Sequence, residues 1–270
     1  MSEEKVAPPS LQPNRFGECR LCLTNAELQN SHFISKAAYK RVRSADENPN
    51  PFINDGMKAL QTAKQITAHV LCFDCEQRLA RSGEDAFFRS CYQPSGSFPL
   101  LELLKENKPL YENDRFAGIV VQEPQYSLVE QIGYMGISLL WKSAAHVWRF
   151  RGSTISSINL GKVYQEQIRQ FLLGRAQFPE HAALAIEVSD ENNRLIGMFG
   201  TPLSKKLSTN HLHWIDLLGI RFNLLVGARM PVSVKNLSVF RTGQKCLIIA
   251  KKQEGLMVKD YHRHLQLMAG

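Results

Sequence analysis

The chain lacks any long apolar run. Its most hydrophobic segment, residues 128–148, is interrupted by Glu130, Lys142 and His146, and the uncharged stretch 131–141 is far short of the roughly 20 residues that a bilayer demands. No membrane partner is expected. A secretory signal is missing as well, since MSEEKVAPPSLQPN is acidic and proline-rich with no apolar centre. Cysteine is scarce, six in 270 residues, and falls as two C-x-x-C pairs plus the isolated Cys91 and Cys246. That spacing argues against a disulfide framework and for a reducing, cytoplasmic setting. Thioredoxin-type redox chemistry lacks its context too, because Cys19 follows a turn-rich leader where such a motif needs a strand in a βαβ unit.

Hydrophobic residues at 44% and charged residues at 21% are ordinary for a globular chain. The net charge of +8 is unevenly placed: Lys and Arg exceed Asp and Glu by one over residues 1–95 and by seven over 96–270. A basic excess of this kind attracts phosphates without reading sequence, so DNA, in its double-stranded form, is the expected partner. The same charge also serves solubility alone.

The motif that organises the chain is Cys19-x-x-Cys22 followed at a distance by Cys72-x-x-Cys75. Each C-x-x-C turn aims two thiolates at one point, and two turns complete the four-sulfur shell that structural Zn²⁺ prefers. Cys19, Cys22, Cys72 and Cys75 are therefore the predicted zinc ligands. The insert between the pairs exceeds the usual spacing of about 15–20 residues, so it must house something besides the metal. It contains His32, in NSHFISK. Ser35 then caps a predicted helix over 36–43, on which Lys36, Lys40 and Arg43 form one basic stripe. That stripe fits a phosphate backbone or a solvated face equally well.

The order C-x-x-C, then a polar residue with His and an apolar pair, then Leu-Cys-x-x-Cys running into a polar helix (ELQNSHFISKAAYKR and HVLCFDCEQRLA), resembles the zinc-pinned branch of the HNH, or ββα-metal, endonucleases over about the first 90 residues. The resemblance implies a metal-dependent endonuclease that hydrolyses DNA phosphodiester bonds. In such enzymes a strand-end histidine, here His32, takes a proton from the attacking water, and a catalytic Mg²⁺ or Mn²⁺ neutralises charge on the phosphate. Departures from the pattern are specific. Ser31 stands where a metal-binding Asp or His is usual, and Glu76 stands where a His is usual. In TAHVLC only His69 can replace the asparagine that orients the base. Related nucleases act in bacterial phage defence, which implies protein partners in a defence complex. The alternative is a catalytically inactive zinc module that recruits nucleic acid or a protein.

The predicted class is α+β: a disordered leader (1–15), a small zinc-pinned ββα-metal domain (16–93), a connector (94–127) with a short helix near residue 100, and a larger basic α+β domain (128–270). In that last segment a buried helix over 128–148 and an amphipathic helix with Val163, Tyr164, Ile168, Phe171 and Leu172 on one face precede several short strands, read as an antiparallel sheet. The His211/His213 and His262/His264 pairs share strand faces and would need a third ligand to hold a metal.

Overall fold

The computed structural model describes residues 15–42, 52–54, 59–61, 64–150, 153–155, 158–190 and 199–251. Residues 1–14 of the predicted leader, Arg43 and the pair His262/His264 lie outside the described residues.

The N-terminal unit opens with β1 (Phe16–Glu18) and β2 (Asn25–His32). β2 ends at His32, as the resemblance's strand-end histidine implies. Phe33 and Ile34 are core anchors: both are buried, and the Phe33 ring packs 5.2 Å from Trp148. Ser35 then receives the Ala37 amide on its hydroxyl at 3.4 Å and starts α1 (Lys36–Val42). Two three-residue strands follow, β3 (Phe52–Asn54) and β4 (Ala59–Gln61). β5 (Thr67–Cys72) returns antiparallel to β2 and completes a three-stranded sheet, β1-β2-β5.

From Cys72 the chain enters one helical run: α2 (Phe73–Leu79), a π turn (Ala80–Glu84) and α3 (Asp85–Ser90). Gly83, a poor helix former, lies in the π turn. The structure assigns that glycine a packing task. A Cβ at Gly83 would lie 2.6 Å from the backbone nitrogen of Met135 and 3.0 Å from the carbonyl oxygen of Gln131, so the turn presses directly on the backbone of a neighbouring helix.

That neighbour is α5, reached through α4 (Pro99–Lys105), β6 (Pro109–Glu112) and β7 (Phe116–Val120). α5 (Tyr126–Ala145) is the buried helix that the apolar segment predicts. Its Gly136 admits the Phe222 ring, which would stand 2.1 Å from an added Cβ. A small hairpin, β8 (Arg149–Phe150) with β9 (Ser153–Thr154), leads to α6 (Lys162–Leu172). Ile168 and Leu172 are buried there, whereas Val163 is 66% exposed and does not belong to the apolar face.

The remaining strands are β10 (Ala182–Ser189), β11 (Phe199–Gly200), β12 (Leu203–Leu207), β13 (Asn210–Leu217), β14 (Ile220–Gly227) and, after α7 (Val232–Asn236), β15 (Cys246–Ala250). They join a ten-stranded sheet of order β4-β3-β11-β13-β14-β10-β15-β7-β6, with β12 also on β13. The predicted antiparallel sheet is thus mixed, because β10 runs parallel to β15 and β11 parallel to β3. CLIIA is apolar on both faces, so its pattern carries no alternation from which direction or face can be read.

One face of this sheet packs Phe222 and its neighbours against α5, while the other buries Leu212, Leu225 and Ile248 with Val234 of α7. The stretch 94–127, expected as a connector, supplies α4 and the β6–β7 edge. A single apolar cluster runs from Leu21 and Phe33 through Ile132 and Leu140 to Leu224 and Leu247.

Gly83→Ala is expected to destabilise the fold by about 1–3 kcal/mol, because backbone cannot retreat as a side chain can. Urea denaturation would show this as a lower midpoint at unchanged slope.

Candidate metal centre

The first cysteine pair sits on a knuckle between β1 and β2. Leu23 adopts a positive φ of 64° and its amide donates to the Cys19 carbonyl at 2.8 Å, which closes the turn. The Arg20 amide donates to the Val70 carbonyl at 3.0 Å, so the knuckle docks on the end of β5. There Cys72 ends the strand and Cys75 lies in the first turn of α2. The Cys72 amide donates to Cys19 Sγ at 3.3 Å.

All four sulfurs lie within 4.8 Å of one another, with Cys22 and Cys72 3.8 Å apart. A tetrahedral zinc with Zn–S bonds of about 2.3 Å places its sulfurs about 3.8 Å apart, so the donor set fits that ion. Electrostatics agree. A hydrogen bond from the Cys75 thiol favours the thiolate of Cys19, and the same contact pushes Cys75 up, with burial adding to it. Burial pushes Cys72 up as well. Four thiolates this close repel one another unless a cation sits among them, and that is the service a divalent ion performs.

Sequence reading misses one residue of this centre. Arg169 of α6 is only 8% exposed; its Nη1 donates to the Leu21 carbonyl inside the knuckle at 2.6 Å, and its Nε and Nη2 donate to Glu166 at 2.7 Å each. The i,i+3 Glu–Arg pair in QEQIRQ is visible in the sequence, but its target is 148 residues away. The Arg169 guanidinium also holds the Glu166 carboxyl down to about 2.

Of the expected catalytic residues, Glu76 directly follows Cys75 on α2, whereas His32 lies opposite Thr67, at the end of β5 away from Cys72. His32 closes β2 opposite Thr67, and its Nε2 lies 2.6 Å from Gln65 Oε1, just before β5. Its backbone carbonyl receives Lys142 Nζ of α5 at 3.2 Å. His69 pairs with Asn30, two residues along from the His32 rung on the same sheet face. Ser31 is buried and points the other way, accepting the Leu71 amide on its hydroxyl at 3.2 Å. Glu76 is half-buried on α2, and its Oε1 is buried with no hydrogen-bond partner among the described residues. Among the described residues the four cysteines are the one group of three or more His, Cys, Asp or Glu ligands brought together, so His32, His69 and Glu76 do not assemble a second cage of that kind.

On α1, Lys36 and Lys40 are both exposed. Arg41, outside the predicted stripe, donates to the Phe88 carbonyl at 3.0 Å and stacks 4.7 Å over its ring, which fastens α1 to α3. His211 and His213 stack in parallel 6.2 Å apart, but His213 is buried, bonded to Ser204 Oγ at 2.6 Å through Nδ1, and held down to about 4 by burial. They form a packing pair. No helix among the described residues is long and apolar enough to cross a membrane.

The chain matches no family model, no curated protein and no solved structure.

Purified protein is expected to carry one zinc per chain by elemental analysis. Cys75→Ser should lose it, and the loss should lower the melting temperature, because binding energy at a structural zinc site is folding energy.

Proposed function

We propose that this protein is a metal-dependent endonuclease of the HNH kind, hydrolysing DNA phosphodiester bonds with the strand–strand–helix unit β2, β5 and α2. The observation that carries the reading is the 2.6 Å contact between His32 Nε2 and Gln65 Oε1. A carboxamide oxygen only accepts, so Nε2 is the donor in this contact, and in the neutral ring Nδ1 then keeps its lone pair. A ring held in that tautomer takes a proton from water through Nδ1. Gln65 thus supplies the orienting amide that TAHVLC lacks.

Glu76 is the chain's ligand for a second, hard cation. A buried carboxylate oxygen without a hydrogen-bond partner suits Mg²⁺ or Mn²⁺. When bound, that ion would neutralise developing charge on the phosphate and its leaving oxygen. The four cysteines stand outside the chemistry and fix the geometry, because the knuckle and the start of α2 both rest on them.

One observation favours the alternative, a non-catalytic zinc module that recruits nucleic acid. Ser31 is buried and committed to the Leu71 amide, so it offers nothing to an ion beside His32.

Plasmid nicking with added Mg²⁺ or Mn²⁺ decides between the two. His32→Ala and Glu76→Ala should each lower the rate by about a hundredfold or more with zinc content intact, and Gln65→Ala by less. A zinc-loaded wild-type chain that cuts with neither ion would leave the recruiting module as the function.

A further inference from the structure

Beside Cys22 and Cys72 lies an open cavity of about 780 Å³, bordered by Phe73, Arg78, Arg81 and Arg175, with Glu27 and Asp74 also on its wall. Arg78 and Arg81 come from α2 and the π turn, Arg175 from just beyond α6, and all three are exposed. Among the described residues none of the three guanidinium groups is ion-paired. The Phe73 ring stands 60% exposed at the start of α2, in the same cavity. An unpaired cluster of arginines around an exposed ring is an arrangement that holds phosphates and stacks a base.

The cavity does not end there. Ser82, in the π turn, also lines a second hollow of about 280 Å³ whose walls include Tyr134, Phe171, Phe178, Phe240 and Gln177. Phe240 sits 4.6 Å from Phe178 and 4.8 Å from Phe171, centroid to centroid. The π turn joins the two hollows: Gly83 presses on α5, while Arg81 and Ser82 turn toward the surface.

From this arrangement we infer that the groove binds single-stranded nucleic acid, its phosphates on Arg78, Arg81 and Arg175, one base stacked on Phe73 and a neighbouring base entering the aromatic hollow. A duplex keeps its base faces stacked within the helix and so has nothing to offer Phe73, whereas a single strand presents them freely. The inference concerns where a strand is held and stands apart from the catalytic reading.

Fluorescence anisotropy of the full chain with a short labelled oligothymidylate, and with a duplex of equal length, tests it without added divalent ion. Single-strand affinity should exceed duplex affinity by about tenfold or more, and Phe73→Ala should weaken the single strand by about tenfold. Phe73→Trp should bind as the wild type does. Arg78→Ala and Arg81→Ala should each reduce the salt slope by about 0.7. Equal or tighter duplex binding, a salt slope unmoved by the arginine changes, or a Trp variant as weak as the Ala variant would overturn the assignment. Because no ion is supplied, a chain that binds strands but never cuts them keeps this inference and sinks only the catalytic one.

Discussion

Four sulfurs converging on one point are the constraint from which the N-terminal unit follows. Cys22 and Cys72 are 50 residues apart, and bringing the ends of such a loop together costs on the order of 3–4 kcal/mol in chain entropy. Three short strands with a small shared face do not offset that comfortably. A divalent ion held by the cluster would, by joining the knuckle, the end of β5 and the start of α2 at a single locus. His32, Gln65 and Glu76 are then carried by elements whose positions are no longer independent.

The second support is mechanical. α5 lies beneath the whole arrangement: the π turn rests on its backbone at Gly83, Lys142 reaches the His32 carbonyl, and Gly136 receives Phe222 from the large sheet. A side chain at Gly83 would meet backbone and one at Gly136 the Phe222 ring, and either would part the layers. π turns inside α-helices recur at functional sites, and this one directs Arg81 and Ser82 to the surface beside the metal centre.

Much of this was legible from residue spacing, and the reasons are local. A C-x-x-C turn encodes its own geometry, so the four ligands could be named without knowing the fold. The amphipathic and apolar helices α5 and α6 announced themselves by period. What stayed hidden is nonlocal or too short to have a pattern. Gln65 meets His32 across 33 residues, and an amide in a loop carries no signal of its partner. β3 and β4 have three residues each, below the length at which alternation means anything. Arg169 reads as half of a surface ion pair until the chain folds and its free Nη1 finds the Leu21 carbonyl.

The large sheet draws its edge hairpin β3–β4 from the loop between the cysteine pairs, and α6 clasps the Cys19–Cys22 knuckle through Arg169. A unit wired into its host this way is no detachable cassette. Shuffling it onto another protein would strip two strands from the sheet left behind and leave Arg169 there without the Leu21 carbonyl. The cysteine unit and the large sheet are in this sense built as one structure, each completing the other's edge.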